Sequence, residues 1–254
     1  MRLHLAPACL TLAIAFLAGC EGMAFHNAEM ANTPESYEAF LAEFPDSNRY
    51  EDIQQRVEKL RFEAAMKDGS SAAIRDYLQL HPNGEHVNEA LAAEDATSFE
   101  EAQAEGTIEA YQGYMDAHPK GKHLEQARGL QDRLKYLPRL SIEETTTRRI
   151  NLANDPKGPL NGWEVLANIV NKGGRTLRIV ELDIQVLDSR GEVYGDTHTW
   201  WAVSRELGGF PTPDAMKPPL PPEGTRVFRW TTGEVPEGWA EQLKLAVTDV
   251  VFEY

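Results

Sequence analysis

The sequence predicts a multidomain α and β protein: an N-terminal α-helical repeat array of three helix-turn-helix pairs, followed by a β-sandwich. Three observations predict it. Phe40-Leu41-Ala42-Glu43-Phe44-Pro45 returns as Tyr77-Leu78-Gln79-Leu80-His81-Pro82 and as Tyr114-Met115-Asp116-Ala117-His118-Pro119, with the prolines 37 residues apart each time. A fixed period in the range of about 20–50 residues marks a stacked array. After Pro138 the hydrophobic period falls from helical to two. A short apolar run near the amino end leads to a cysteine. The expected divisions are 1–19 signal peptide, 20–32 tether, 33–137 helical array and 138–254 β domain.

At the amino end, Arg2 opens a short n-region, and residues 10–17 form an apolar run of eight. A bilayer-spanning helix needs about 20 apolar residues, so this run fits the h-region of a secretory signal. Leu17-Ala18-Gly19-Cys20 follows. It resembles the lipobox of bacterial lipoproteins, which implies that Cys20 is diacylated at sulfur and becomes the mature N-terminus. Cys9 would leave with the signal, so no disulfide can form within one mature chain. Each buried methylene contributes about 0.8 kcal/mol of membrane affinity, so two or three acyl chains anchor a protein without a spanning helix. In Gram-negative lipoproteins an aspartate after the cysteine favours inner-membrane retention. Glu21 stands there in this chain, which implies the outer membrane rather than the inner, with the domains in the periplasm. Residues 21–32 read as a tether reaching about 40 Å when extended.

The 37-residue offset extends beyond the prolines. Asn32, Gly69 and Gly106 align, residue types that tolerate the left-handed conformation at a helix end. Thr33, Ser70 and Thr107 follow as N-caps. The first helix of each pair then carries an apolar stripe: Tyr37/Phe40/Leu41, Ile74/Tyr77/Leu78 and Tyr111/Tyr114/Met115. The proline ends it, because the residue before proline avoids the helical region. Ser47, Gly84 and Gly121 complete the turn. The second helices carry Ile53, Val57, Leu60 and Ala64, then Val87, Ala90, Leu91 and Ala93, then Leu124, Ala127, Leu130 and Leu134. Phe62, Phe99 and Tyr136 are also 37 apart. About three such pairs are the minimum for a stable stack with a concave groove.

Residues 33–136 resemble divergent tetratricopeptide-type repeats of bacterial envelope proteins. Tyr37-x-x-Phe40-Leu41-x-x-Phe44-Pro45-x-Ser47 is similar to the motif of the outer-membrane β-barrel assembly lipoprotein and of the periplasmic Tol-Pal-associated repeat proteins. The period here is longer, and His81 and His118 stand where the first phrase has Phe44. The resemblance implies a groove for an extended or helical segment of an envelope protein. The matched positions are structural, so no contact residue carries over. His81 and His86 recur as His118 and His123. Their alignment with Phe44 marks a position that packs a flat ring, and no Cys/His spacing fits a zinc framework. The expectation is a packing role, with no metal and no cofactor.

In the carboxyl half, Trp163, Val165, Ala167 and Ile169 alternate with the residues between them, and so do Val180, Leu182, Ile184 and Val186. Residues 171–174 and 188–191 read as turns. Further strands are expected over 140–152, 192–203, 225–232 and 242–253. Six or seven short strands joined by turns fit a β-sandwich of immunoglobulin-like type. Ile169-Val170-Asn171, Val186-Leu187-Asp188-Ser189-Arg190-Gly191 and Leu220-Pro221-Pro222-Glu223-Gly224 with Phe228 are similar to the pattern of FxLYD-type envelope modules. Leu187 beside the aspartate and two extra residues in the proline turn depart from it. That resemblance implies binding or spacing rather than catalysis. Trp200 and Trp201 are adjacent in an expected strand, so their side chains leave by opposite faces. Either one ring is core and the other a partner contact, or a following loop covers both. That loop, 210–222, holds six prolines, which makes it stiff and extended.

The net charge of −15 argues against nucleic acid, which needs a basic surface, and against electrostatic docking to anionic lipid. Residues 33–136 hold 21 acidic and 11 basic side chains, and 137–254 hold 17 and 13. The acid therefore serves solubility or, on the helical half, a basic partner. There is no G-x-S-x-G, P-loop, G-x-G-x-x-G or H-E-x-x-H, so no enzyme is expected. The expected function is a membrane-anchored scaffold or assembly factor that holds a protein segment on its repeats. The alternatives are a structural or glycan-binding envelope protein that uses the tryptophans, and an enzyme or its regulatory subunit resting on paired carboxylates.

Overall fold

A computed structural model describes residues 8–153, 155, 157–204 and 213–253, with the backbone alone for 8–19. Among the described residues, seven α-helices come first and two antiparallel three-stranded sheets follow, so this is a mixed α and β protein. The chain divides into two compact units. One runs to Gly106 and adds Gly113–Glu125; the other takes Thr107–Gln112 and Gln126–Tyr254. The division falls inside the last helix pair.

The helices are α1 (Ala8–Ala31), α2 (Pro34–Glu43), α3 (Tyr50–Asp68), α4 (Ser71–Leu80), α5 (Val87–Glu105), α6 (Ile108–Ala117) and α7 (Leu124–Tyr136). Their starts are capped where the sequence places caps. Thr33 Oγ1 accepts from Ser36 N at 3.2 Å and Thr33 N donates to Ser36 Oγ, a reciprocal capping box with Pro34 just inside the helix. Ser70 and Thr107 accept from Ala73 N at 3.2 Å and Ala110 N at 3.0 Å. α3 and α5 end at Gly69 (φ 76°) and Gly106 (φ 63°), and Asn32 after α1 has φ 48°. A side chain with a Cβ resists this left-handed turn, and asparagine resists it least. After α2, α4 and α6 one turn recurs: Ser47 N, Gly84 N and Gly121 N donate to the carbonyls of Phe44, His81 and His118 at 3.1, 3.0 and 3.0 Å.

Residues 20–31, expected as a tether, are helical. Ala28 is buried in one cluster with Tyr37, Phe40, Ile53 and Val57, and Ala24 and Phe25 pack against it. An extended reach of 40 Å is therefore lost: apolar burial on α2 and α3 holds this segment as a helix.

In the second unit, β1 (Leu140–Ile150), β2 (Gly162–Asn171) and β5 (Thr225–Thr232) form one sheet in the order β1-β2-β5. The other has the order β4-β3-β6, from β4 (His198–Val203), β3 (Leu177–Val186) and β6 (Leu243–Phe252). Alternate residues of both sheets share one buried cluster, with Val165, Ala167 and Ile169 from β2, Val180, Leu182, Ile184 and Val186 from β3, and Phe228 and Trp230 from β5. Burial of such alternating side chains is the main stabilising term.

Asn171, wholly buried, ties this unit together. Its Oδ1 accepts from Tyr136 Oη at 2.9 Å and Gly173 N at 3.1 Å, and its Nδ2 donates to the carbonyls of Arg175 at 2.8 Å and Pro221 at 3.0 Å. The Tyr136 ring sits edge-on to Phe252 at 5.2 Å. The expected 210–222 loop lies outside the described residues up to 212. Beyond that, Leu220 is buried and exchanges backbone hydrogen bonds with Leu177 at 2.7 and 2.9 Å.

Candidate functional site

Three aromatic and polar junctions recur along the first unit at the 37-residue offset. In each, a phenylalanine from one helix meets a ring of the next helix edge-on. The pairs are Phe25–Phe40 at 5.6 Å and 65°, Phe62–Tyr77 at 5.5 Å and 60°, and Phe99–Tyr114 at 5.4 Å and 60°. A second ring covers the first: Phe44 lies 5.2 Å from Phe40, His81 stacks on Tyr77 at 5.5 Å, and His118 on Tyr114 at 5.0 Å. A third flat group closes the other side. Arg49 sits over Phe25 at 4.8 Å, and His86 and His123 stack on Phe62 and Phe99 at 4.4 and 4.7 Å.

A carboxylate stands at the centre of each junction. Glu58 accepts from Tyr77 Oη and from His86 N at 3.2 Å, with His86 Nδ1 at 3.0 Å. Asp95 accepts from Tyr114 Oη at 2.7 Å and Lys122 N at 2.8 Å. Glu21 accepts from Ser47 Oγ at 2.6 Å, with Arg49 at 3.8 Å. Burial raises the Glu58 carboxyl, but the hydrogen bonds from Tyr77 and His86 outweigh it, so it titrates below the usual glutamate value. Asp95 is lowered in the same way, its burial offset by Tyr114 and Lys122. Burial, then the facing carboxylate, pushes the Tyr114 hydroxyl up to about 12 and Tyr77 higher still.

One substitution pattern along the series has a direct steric cause. A Cβ on Gly84 would lie 2.6 Å from Glu58 Oε1 and 2.9 Å from Tyr77 Oη, and one on Gly121 would lie 2.7 Å from Tyr114 Oη. Phe40 has no hydroxyl, which leaves room for Ser47 in the equivalent turn. The serine hydroxyl then supplies the hydrogen bond that the ring cannot. Sequence reasoning missed this amino-terminal junction, although Phe25 lies 37 residues before Phe62 and Glu21 lies 37 before Glu58.

The histidines are thus ring partners inside the junctions, and among the described residues no three His, Cys, Asp or Glu groups converge as metal ligands. His118 Nε2 lies 3.2 Å from Glu94 Oε2. Val57 occupies the place of Glu94 one period earlier, and His81 Nε2, like His118 Nε2, is buried without a hydrogen-bond partner. Burial holds the His81 imidazole below the usual histidine value. His81 also lines a cleft of about 640 Å³ with Glu38, Leu41, Val57, Leu80 and Glu85. Leu80 is 61% exposed there.

Of the expected site residues, Cys20 is a free, exposed thiol. Trp200 and Trp201 lie on β4 opposite Leu182 and Glu181, so they do start from opposite faces. β4 is an edge strand, and the two ring centroids are 5.8 Å apart. Neither belongs to the buried cluster; Trp230 and Trp239 occupy it instead. Trp200 is 38% exposed. Both rings line a cleft of about 600 Å³ with Met216, Val227, Arg229 and Trp230. Glu181, beneath Trp201, is raised by burial and by the charges of Asp249 and Asp183. Among the described residues no helix is long and apolar enough to cross a membrane.

No family model and no curated protein matches the chain. Among solved structures it is similar to the Pseudomonas fluorescens alkylpurine DNA glycosylase AlkC bound to DNA containing an abasic site analog. The identity is 11% and the TM-score 0.30, and the match covers 86% of this chain and 62% of that one. A structural-genomics target, SoR45, is similar at 13% identity and TM-score 0.23, over 46% of this chain and 86% of that one. At such TM-scores neither likeness carries an argument about fold or activity.

Proposed function

We propose that this is a lipid-anchored envelope protein that serves as a protein-binding scaffold or assembly factor. Its helical half is a tetratricopeptide-like array, and its carboxyl half is an immunoglobulin-like sandwich. The recurrence of the same junction at three positions 37 residues apart carries this reading. Junctions that recur at a fixed period stack helix pairs on one another, and such stacks present extended surfaces to protein segments. The cleft around Leu41, Leu80 and His81, rimmed by Glu38 and Glu85, suits a segment with apolar and basic side chains. The acidic balance of 33–136 favours the same partner. The anchor is the acylated Cys20, in the outer membrane with the domains in the periplasm.

The test is extraction of the protein from membranes in mild detergent, with crosslinking before lysis. The expected result is a reproducible envelope protein held by the helical half. Repeated recovery of a lone monomer refutes the scaffold reading. A second reading, a glycan-binding envelope protein, is favoured by the cleft lined by Trp200, Trp201 and Trp230, because indole faces stack on sugars. Retention on peptidoglycan that is lost on Trp200→Ala supports it, and no retention of the parent protein ends it.

A further inference from the structure

Cations gather at the carboxyl end of α7, in a chain whose 40 acidic side chains outnumber its 25 basic ones. A cleft of about 380 Å³ there is lined by Lys135, Arg139, Lys172 and Arg175, with Asp132 and the backbone of Gly173 and Gly174. All four cations are exposed. Among the described residues one ion pair reaches the cleft, from Glu143 to Lys172 at 2.8 Å. Asp132 and Glu143 offset two of the four positive charges and leave two uncompensated. The backbone beneath is locked. Lys172 N donates to Arg139 O at 2.8 Å, Arg175 N to Tyr136 Oη at 3.0 Å, and the buried Asn171 Nδ2 to Arg175 O at 2.8 Å. Gly173 is buried, and a Cβ there would run into the Tyr136 ring, so the turn lies close against α7. The Arg175 guanidinium sits 3.3 Å over the Phe252 ring. The ring orients it but brings no net charge to cancel its own. Lys135 Nζ donates to Gln131 Oε1 within α7, which leaves the two arginines as the principal donors of the cleft.

We propose that this cleft binds a phosphate monoester, held chiefly by Arg139 and Arg175. Planar guanidinium forks match the oxygens of a phosphate. A monoester carries a charge of about −1.5 to −2 at pH 7, which cancels the two uncompensated charges, whereas a carboxylate cancels one. The overall charge of −15 opposes a broad anionic contact, but a single phosphate enters where the local field is positive. The headgroup of a phospholipid and a soluble monoester present the same group. The cleft shares no residue with those around Leu80 or Trp200, and the inference does not rest on the scaffold reading.

The experiment is calorimetric titration of the Cys20→Ser chain beginning at residue 20, which holds every described side chain, with inorganic phosphate, methyl phosphate and acetate at pH 7. Flotation with phosphatidylcholine vesicles, with and without phosphatidic acid, separates the two sources. Phosphate and methyl phosphate should bind saturably with a Kd of about 1 mM or tighter. Arg139→Gln, at an exposed position without an ion pair, should weaken them about tenfold. Arg139→Lys, which keeps the charge and loses the fork, should fall between. Arg190→Gln, at an exposed turn outside the cleft, should change nothing. Flotation that requires phosphatidic acid and is lost in Arg139→Gln assigns the headgroup; saturable methyl phosphate without flotation assigns the soluble source. No saturable phosphate binding and no flotation, or binding that Arg139→Gln leaves intact, overturns the proposal. Acetate held as tightly as phosphate assigns the cleft to a carboxylate and overturns it as well.

Discussion

Converting the second junction into the first tests the account of Ser47, Gly84 and Gly121. Tyr77→Phe deletes one hydrogen bond to a buried carboxylate, a loss of about 1.5–3 kcal/mol. Gly84→Ser alone forces a Cβ to within 2.6 Å of Glu58 Oε1 and 2.9 Å of Tyr77 Oη. Overpacking of this kind costs about 1–3 kcal/mol. The double variant has the composition of the amino-terminal junction: a ring without a hydroxyl, room for the serine, and a serine hydroxyl that donates to the carboxylate as Ser47 does to Glu21. It should lie within about 1 kcal/mol of the parent, a coupling of about 2 kcal/mol or more between the two sites. The assay is urea unfolding of the Cys20→Ser chain beginning at residue 20, followed by helical circular dichroism. The slope must be unchanged, so that midpoints report stability. Losses that simply add, to within about 0.5 kcal/mol, would refute the junction account.

His81→Phe copies Phe44, keeps the stack on Tyr77 and removes a buried nitrogen without a partner. It should gain about 1 kcal/mol at pH 7. The folded His81 value lies below its ordinary 6.5, so the parent loses stability as the pH falls through that lowered value, and thermal unfolding should show this loss abolished in the variant. For Glu58 the folded value lies below 4.5. Its contribution is full above that value and fades as the pH falls through the lower one. Glu58→Gln should therefore be less stable at pH 7 and show a flatter acid limb in unfolding measured from pH 7 to 3. Asn171→Leu leaves the Tyr136 hydroxyl and the Arg175 and Pro221 carbonyls short of partners. It should cost more than about 2 kcal/mol, read as a lowered midpoint by near-ultraviolet circular dichroism.

Local chemistry made most of the helical half legible. Thr33, Ser70 and Thr107 cap helices, Asn32, Gly69 and Gly106 end them, and the prolines separate the two helices of each pair, all through interactions within a few residues. The alternation over 180–186 fixed the inward face of β3 for the same reason. Residues 20–31 misled because their only periodic signals are Glu21 and Phe25, while the cysteine and Asn32 bracket them as a linker. Their helix is held by Ala28 and Phe25 against α2 and α3. Tyr136 follows the period of Phe62 and Phe99, yet its partners are Asn171 and Phe252. The order β1-β2-β5 and β4-β3-β6 arises from pairings between distant segments, which no local pattern encodes. Trp200 and Trp201 lie outside the core although Ala202 and Val203 of the same strand are in it, a difference that no local pattern encodes. The steric reason for Gly84 and Gly121 lies in a tyrosine and a carboxylate from other elements.

The scaffold reading is tested most directly by photocrosslinking in living cells from a reactive residue in place of Leu80, in the acid-rimmed cleft. A matched probe replaces Val193, 47% exposed in the carboxyl half. The account predicts one discrete crosslinked envelope protein from position 80, found in the membrane fraction and weak or absent from position 193. A membrane-bound protein that yields no crosslinked partner from position 80 or from position 41 would contradict it.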